Sequence, residues 1–474
     1  MIFDASFRYI LTLSLIAAIG GFLFGYDTAV VSGTIGQVSE LFDLDAMSQG
    51  WYVGCALLGS ILGVTISGRL ADLIGRKKVM LLAALLFAVS ALGCALAPSF
   101  FSLVIFRIIG GAGIGMVSIV SPMYISEVAP AKIRGSLVSL YQLAITVGFL
   151  GAYLVNFQLL EWSATDLFSE QKPWDLVFHQ QVWRGMLGME LLPALFFLLV
   201  LFIIPESPRW LVINQRADRA ERVFSRLYPD RKLAKIKIEE VRKQAAKTSE
   251  SNFELLKNPK ILRPVLYGMA IAVLGQFMGV NAVLYYGPGI FEQSGLSGGD
   301  ALFYQVMVGL VNVLTTILAL LIIDKVGRKK LVYFGVSGMI LSLLLISFYF
   351  YAGSNLGLSS LLLLTLFLMY IFCTAISISA VIFVLLSEMY PNKIRGLAMS
   401  IAGFSLWVGT YLVGQLTPWF LEKLGPSGTF MFFALMCFPY LYLIWKKIPE
   451  TSGRSLEDIE SYWLGDQKDQ HNSI

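Results

Sequence analysis

A ten-residue segment of this chain occurs twice. Ser126–Gly135 reads SEVAPAKIRG and Ser387–Gly396 reads SEMYPNKIRG, so seven of ten positions are identical at a separation of 261 residues. Each copy follows a long apolar run. A repeat of about half the chain is far longer than the units of a solenoid and is typical of a membrane protein built from two homologous halves.

Two shorter signatures are repeated at similar offsets. An aspartate shortly before Gly-Arg-Lys-Lys occurs at Asp72 and Asp324, and a Pro-Glu pair followed by a hydroxyl residue begins at Pro205 and Pro449. The duplication therefore extends beyond one segment and covers most of both halves.

Composition indicates lipid as the solvent. Hydrophobic residues make up 57% of the 474 and charged residues 14%, whereas a soluble protein has about a quarter charged residues. Helices are predicted for the apolar runs, because these are near the ~20 residues that cross a bilayer and too uniformly apolar for barrel strands. The twelve predicted spans cover residues 9–31, 49–69, 78–98, 101–126, 137–157, 184–204, 262–286, 301–323, 330–352, 359–386, 397–420 and 428–448.

The predicted fold is an all-α integral membrane protein with twelve transmembrane helices, in two six-helix halves related by pseudo-two-fold symmetry. Residues 1–204 form the N-terminal half and 262–448 the C-terminal half. Residues 205–261 are predicted to be a cytoplasmic linker with short amphipathic helices, and 449–474 a cytoplasmic tail. The linker is either a latch that packs under both halves or a solvated tether.

The placement of basic residues predicts the orientation. With both termini cytoplasmic, 32 of the 36 Lys and Arg residues lie on the inner side, which follows the positive-inside rule. The first span reads as a retained helix and not as a signal peptide. We therefore expect a multi-pass protein of the cell (cytoplasmic or inner) membrane. The net charge of +5 follows from orientation and gives no support for a nucleic-acid partner.

Nothing in the sequence indicates an enzyme, a cofactor or a metal site. All four cysteines fall inside predicted spans and the two histidines in loops. Gly110–Gly115 imitates a glycine-rich phosphate loop but lacks the preceding strand that such a loop needs. Gly111 and Gly115 instead predict close packing of two helices.

Charged residues at the inner ends of the spans predict a cytoplasmic ion-pair network that closes the inner mouth and breaks when it opens. The alternative is helix capping combined with positive-inside topology; the presence of the same set twice favours the network. Its predicted members are Arg69, Asp72, Arg76, Glu127, Arg134, Glu206 and Arg209 in the first half and Asp324, Arg328, Glu388, Arg395 and Glu450 in the second.

Taken together, these strings resemble the sugar porter family of the major facilitator superfamily. The segments that carry the resemblance are Gly25–Gly33, Gly68–Lys78, Ser121–Glu127, Pro205–Leu211, Gly279–Tyr286 and Pro449–Thr451, in the family's order along essentially the whole chain. The resemblance implies alternating access to a central sugar site and, among bacterial members, often proton symport. The expected partners are a sugar or polyol, a proton and the lipid bilayer, and the expected state is a monomer.

Two charges fall inside the predicted spans. Asp27 lies in span one and Arg107 in span four, and each needs a partner or water because an isolated charge in the bilayer core is unfavourable. The resemblance implies an Asp–Arg pair at these positions and a supporting acidic residue at Glu190. One hypothesis is that Asp27 binds the transported proton and Arg107 neutralises it when the proton leaves; the alternative is a fixed salt bridge in a passive carrier.

A sugar site needs amides, which donate and accept hydrogen bonds, and an aromatic face for the apolar side of the ring. An amide within the membrane can also simply join two helices. Tyr286 is a further aromatic wall or gate. The predicted sugar-binding residues, by resemblance, are Phe24, Gln142, Gln276, Asn281, Tyr285, Asn312, Phe383 and Trp407.

Several positions depart from the family pattern and leave the identity of the sugar open. Gly275 precedes Gln276 where paired glutamines are common, Leu406 stands where glutamine is frequent, and Phe149 replaces a polar residue. Span ten reads Ser379–Phe383 in place of Gly-Pro-x-x-Trp. A different monosaccharide, a polyol or a larger glycoside therefore comes into consideration beside a common hexose.

The predicted function is secondary active transport of a monosaccharide or related polyol, in symport with protons. The alternatives are a facilitative carrier, of a sugar or of another solute, and a non-transporting sugar sensor. Gly287-Pro288-Gly289 is predicted to end span seven, either as an ordinary terminus or as part of a broken half-helix that covers the site.

Overall fold

The computed structural model describes residues 5–130, 132–165, 175–228, 231–247, 254–391, 394–451 and 456–464. Within these ranges every regular element is a helix. The side chains of Asp324 and Phe383 lie outside the described part of the chain, so the roles predicted for them stay predictions.

The chain divides into two compact units. The first comprises Met1–Leu44 and Trp51–Glu250, and the second Asp45–Gly50 and Ser251–Ile474. In chain order, the helices up to the end of the first unit are α1 (Ala5–Phe42), α2 (Ala46–Ile74), α3 (Arg76–Leu96), α4 (Phe100–Val128), α5 (Arg134–Ser163), α6 (Val182–Gly188), α7 (Leu191–Leu201), α8 (Pro208–Ile213), α9 (Ala217–Leu227) and α10 (Arg231–Lys247).

The helices that follow belong to the second unit. They are α11 (Pro259–Phe277), α12 (Val280–Glu292), α13 (Gly298–Val326), α14 (Arg328–Leu356), α15 (Ser360–Thr374), α16 (Ala380–Met389), α17 (Arg395–Lys446) and α18 (Leu456–Leu464). Short π-helices at Leu176–Gln180 and Ala375–Ser379 and a 3₁₀ turn at Glu254–Lys257 complete the described elements.

Eleven stretches of the described chain are long and apolar enough to cross a membrane. The last, α17, has 52 residues and is two helices joined at Gly425, where φ is 67° and ψ is 172°. Counting α17 as two helices gives twelve spans, which is the predicted number.

The repeated glycine after the aspartate explains why Gly-Arg-Lys-Lys occurs twice. Gly75 between α2 and α3 has φ 101° and ψ 159°, and Gly327 between α13 and α14 has φ 95° and ψ 153°. A side chain is strained in this region of φ, so both turns favour glycine. The two halves thus reverse direction through the same local geometry.

Glycines also bring helix backbones together in the first unit. A Cβ atom at Gly25 of α1 would lie 2.9 Å from the carbonyl carbon of Ile145 in α5, and one at Gly111 of α4 would lie 2.8 Å from that of Ala56 in α2. Gly115 faces the backbone of the same helix one turn further along. The predicted packing role of Gly111 and Gly115 is confirmed.

Spans six and ten are interrupted near their middles. Span six is divided into α6 and α7 at Met189–Glu190, where Pro193 supplies no N–H to the preceding turn. Span ten contains the π-helical turn Ala375–Ser379, although it lacks the Gly-Pro stretch that is common in the family. Such a turn alters the local helix geometry without proline.

The predicted end of span seven is wrong. The break lies at Gly279, which has φ 91° in the left-handed region, and not at Gly287–Gly289. Helix α12 continues to Glu292 with Pro288 inside it. The sequence predicts no break at Gly279, because Pro288 is the stronger local signal for a helix end.

The linker begins as a packed part of the first unit. Trp210 Nε1 donates to the backbone oxygen of Asp72 at 2.8 Å, and Tyr124 OH donates to that of Pro205 at 2.9 Å. Helix α9 buries Val223 and Phe224 along one face. These contacts fix the exit of the chain from α7, so this part of the linker is not a solvated tether.

The break at Gly279 gives a stability prediction. In Gly279→Ala, the added Cβ would lie 2.6 Å from Phe433 Cγ and the residue would be held at positive φ, so we expect the free energy of unfolding to fall by about 1–3 kcal/mol. The measurement is thermal unfolding of the purified protein followed by tryptophan fluorescence. The control is Gly289→Ala, where a Cβ meets nothing within 4 Å. Equal unfolding midpoints for the two variants would contradict a strained hinge.

Candidate functional site

A buried ion pair joins α1 and α4 within the first unit. Arg107 Nη1 contacts Asp27 Oδ1 and also donates to the backbone oxygen of Asp27 at 3.3 Å. The side chains are 3% and 1% exposed. Asp27 and Arg107 are therefore the partners that the sequence predicted for one another.

Neighbouring residues shape this pair, and sequence reasoning missed them. The ring of Tyr52 lies 5.9 Å from Arg107 Cζ, and the Tyr52 hydroxyl bonds Thr34 Oγ1 at 2.8 Å. A Cβ at Gly110 would lie 2.7 Å from Asp27 Oδ2, so glycine at this position leaves room for the carboxylate. The sequence alone indicates no such role for Gly110.

One oxygen of Asp27 is open. Asp27 Oδ2 and Arg107 Nε are buried and have no hydrogen-bond partner among the described residues. Buried polar atoms are usually paired, so each such atom needs a reason. An oxygen beside a paired one, in a carboxylate screened from bulk water, is a natural place for a proton.

Glu190 lies at the interruption between α6 and α7. Its side chain is buried, and its Oε1 has no partner within the described part of the chain. Asp27 and Arg107, which lie in the same unit, are joined to one another. The part predicted for Glu190 in proton coupling stays a prediction.

The break in span seven brings two predicted sugar-binding amides together in the second unit. Gln276 lies at the end of α11 and Asn281 at the start of α12, and Asn281 Nδ2 donates to Gln276 Oε1 at 2.8 Å. Thr410 Oγ1 of α17 lies 3.1 Å from the same oxygen. Thr410 was not predicted; its spacing of three residues from Trp407 was the available signal.

The aromatic residues predicted for the site flank these amides in sequence. Trp407 is 8% exposed and lies one turn from Thr410 on α17. On α12, Tyr285 is buried and Tyr286 OH donates to the backbone oxygen of Gly414 at 2.5 Å. These contacts hold α12 against α17.

The remaining predicted sugar residues lie on three other helices. Phe24 of α1 and Gln142 of α5 are half-buried in the first unit, and Asn312 of α13 is 9% exposed in the second. Gly275 has room beside it, since a Cβ there would come no nearer than 3.7 Å to Tyr440.

The ion pairs of the first half form the first network. Arg76 Nε and Nη2 donate to the two carboxylate oxygens of Glu127, both at 3.1 Å, and Nη1 lies 3.1 Å from Asp72 Oδ1. Ser207 Oγ donates to Glu127 as well. Glu206 Oε1 accepts from the backbone N of Lys77 at 3.0 Å and so caps α3.

The second network repeats these roles. Arg328 Nη2 donates to Glu388 Oε1 at 3.1 Å, and Thr451 Oγ1 donates to Glu388 Oε2 at 2.6 Å. Glu450 Oε2 accepts from the backbone N of Lys329 at 3.1 Å and caps α14. Ion pairing and helix capping, which were alternatives for this sequence, thus occur together in each half.

Four predicted network members have other positions. Arg69, Arg134 and Arg209 are exposed, and none lies within ion-pair distance of a carboxylate among the described residues. Arg395 Nη2 donates to the backbone oxygen of Tyr390 at 3.3 Å. Their part in the network stays a prediction. The described residues contain no group of three side chains that could hold a metal ion.

This chain is similar to known proteins over nearly its whole length. A family model described as "Sugar (and other) transporter" matches residues 13–463. The arabinose-proton symporter of Bacillus subtilis is 36% identical over 464 residues, which cover 97% of this chain and 96% of that protein. The D-xylose-proton symporter of Escherichia coli K12 is 34% identical over 492 residues, with 97% of each covered.

A solved structure agrees in fold. The inward open conformation of the xylose transporter XylE from E. coli matches with a TM-score of 0.81 at 32% identity, covering 96% of this chain and 100% of that one.

The first network gives a stability prediction. In Glu127→Gln, the buried Arg76 guanidinium loses its compensating charge, and we expect a loss of about 3 kcal/mol in the free energy of unfolding. Asp72→Asn is the control, because the Asp72 side chain is 74% exposed and its pairing with the same arginine is worth less than about 1 kcal/mol. Thermal unfolding of both variants is the measurement; equal shifts would count against the burial argument.

Proposed function

This chain belongs to the sugar porter family of the major facilitator superfamily, and on that premise we propose that it carries a monosaccharide or related polyol across the membrane in symport with protons. The observation that supports proton coupling best is the buried contact between Asp27 and Arg107, with one carboxylate oxygen left open. A pair that served only to join two helices would gain from having both oxygens satisfied.

The proton step follows from charge. With Asp27 ionised, Arg107 holds it and the pair is close to neutral, which lowers the cost of both charges in lipid. A proton on Asp27 Oδ2 removes the negative charge and with it most of the attraction. Arg107 then turns toward Glu190, whose open oxygen can accept from the guanidinium. Protonation thereby shifts the balance between conformations.

Solute recognition rests on the amides and on Trp407. Gln276, Asn281 and Thr410 form one hydrogen-bonded group, so the orientation of each amide is fixed before solute arrives. Amides of this kind suit hydroxyl groups, which both donate and accept, and the indole of Trp407 suits the apolar face of a ring. With Asn312 they give the second unit a polar set for a polyhydroxylated solute, and Gln142 of the first unit stays a predicted sugar-binding residue.

The ion-pair networks supply the gate. Each network holds the start of one basic helix to a carboxylate, and we propose that both must open when the cytoplasmic mouth opens. The basic residues of these loops support cytoplasmic termini in the cell membrane. The proposed working state is a monomer, because each half already contains its own network.

Replacing Asp27 tests the coupling. In Asp27→Asn, the side chain at position 27 is neutral at every pH and cannot bind a proton, so we expect uphill uptake driven by a pH gradient to be abolished while solute counterflow continues. The measurement is uptake of labelled monosaccharides and polyols into proteoliposomes, with and without the gradient.

The control is Glu422→Gln, at a carboxylate that is 51% exposed and, among the described residues, is paired with its neighbour Lys423. It should keep gradient-driven uptake. Undiminished uphill uptake by Asp27→Asn would overturn the coupling proposal, and counterflow without any effect of the gradient in the parent protein would indicate a facilitative carrier. Binding without counterflow would favour a sensor.

Replacing Gln276 tests recognition. In Gln276→Leu the solute loses an amide partner and Asn281 loses an acceptor, so we expect KM for counterflow to rise about tenfold or more. In Thr410→Val only one supporting hydroxyl is removed, and we expect about threefold. An unchanged KM in Gln276→Leu, with normal expression and unfolding midpoint, would place the sugar elsewhere.

A further inference from the structure

Gln305 of α13 contacts the second half of span seven. Its side chain is fully buried, and its Nε2 lies 3.3 Å from the backbone oxygen of Val283 and 3.2 Å from that of Leu284. Both acceptors belong to α12, so a single amide nitrogen spans two consecutive carbonyl groups of the neighbouring helix. Because both partners can only accept, the orientation of the Gln305 amide is fixed by chemistry.

The position of these carbonyl groups is informative. In an α-helix, the oxygen of Leu284 receives the N–H of the residue four positions later, which is Pro288. Proline has no N–H and cannot supply this bond. Gln305 Nε2 therefore donates to the turn of α12 in which proline removes a backbone donor.

Gly287 shows that α12 and α13 pack closely at this point. A Cβ atom at Gly287 would lie 2.8 Å from Gln305 Cδ and 3.1 Å from its Nε2. Any larger residue at position 287 would push the amide off the carbonyl groups. Gly287, Pro288 and Gln305 thus form one local arrangement in the interior of α12.

Helix α12 is the part of span seven that this arrangement controls. It begins directly after the left-handed residue Gly279 and carries Asn281, which is bonded to Gln276, and Tyr286, which is bonded to Gly414. A helix hinged at one end needs a contact further along to define its angle. The contact with Gln305 falls at Val283 and Leu284, one turn beyond the hinge.

We propose that Gln305 is a positioning residue, which replaces the donor that Pro288 lacks and so sets the angle of α12 and the placement of Asn281 at the solute site. Its Oε1 is buried and has no partner among the described residues. When α12 moves away, Nε2 loses its two carbonyl acceptors, but water can then reach Oε1 and form a hydrogen bond with it. This new hydrogen bond offsets part of the loss. The hydrogen bonds from Gln305 thus hold α12 in this conformation and can break when α12 moves.

The first experiment needs no solute and is independent of the proposed transport. In Gln305→Leu, amide hydrogen exchange in residues 283–292 of the purified full-length protein should become about tenfold faster, because the hydrogen bonds from Gln305 are lost. In Gln305→Leu combined with Pro288→Ala, the new N–H at position 288 bonds the oxygen of Leu284, and most of the protection should return. A role in packing alone would not be rescued by this second change.

The matched control is Asn156→Leu in the first unit. Asn156 is also a fully buried amide whose Nδ2 donates to a backbone oxygen, that of Val30 at 3.0 Å, and whose Oδ1 has no described partner. Its loss should leave exchange in residues 283–292 unchanged. Unchanged exchange in Gln305→Leu, or no rescue by Pro288→Ala, would overturn the proposal.

A transport measurement, which does rest on the proposed function, completes the test. Gln305→Asn keeps the amide but is one methylene too short to reach α12, and it serves where the leucine variant fails to fold. We expect KM for counterflow to rise about threefold or more while the maximal rate changes less than about twofold. If amide exchange is faster in Gln305→Leu but the parent protein shows no transport, the positioning role of Gln305 is supported and the proposed function is wrong. If the variants keep slow exchange and an unchanged KM, only the positioning role of Gln305 is wrong.

Discussion

The contact between Asp27 and Arg107 is the constraint on which the first half depends. Lipid offers neither hydrogen bonds nor solvation for charge, so these two side chains must satisfy one another inside the bundle. Close passage of the helices around them follows from Gly25, Gly110 and Gly111, which remove the side chains that would otherwise keep the backbones apart. The glycines of this half thus serve an electrostatic requirement as much as a packing one.

In both units, some of the candidate functional residues lie where a helix is interrupted. Glu190 is at the break between α6 and α7, and Gln276 and Asn281 flank the left-handed Gly279. An uninterrupted helix would direct residues five positions apart to different faces. The break makes them neighbours, and it also provides a place about which a half-helix can turn.

Much of this arrangement could be predicted from the sequence. The repeated segments located the two networks. The two charges within apolar spans were predicted to be partners because an isolated charge in the bilayer core is unfavourable. The glycine turns at Gly75 and Gly327 followed from identical flanking residues.

Features that depend on contacts between helices distant in sequence were missed. Thr410 and Gln305 are unremarkable within apolar runs, and only the fold shows that they bond residues more than 20 positions away. The break at Gly279 was overlooked because Pro288 was the stronger local signal, and a side chain from α13 compensates for that proline.

The two networks are copies, but they are not equally shielded. Glu127 and Arg76 are each 6% exposed, whereas Glu388 is 26% and Arg328 11% exposed. Water and dissolved ions weaken an attraction in proportion to their access, so the copy in the second half is held less firmly. Duplication has therefore produced two networks of unequal strength. As ionic strength rises, the network of the second half dissociates first.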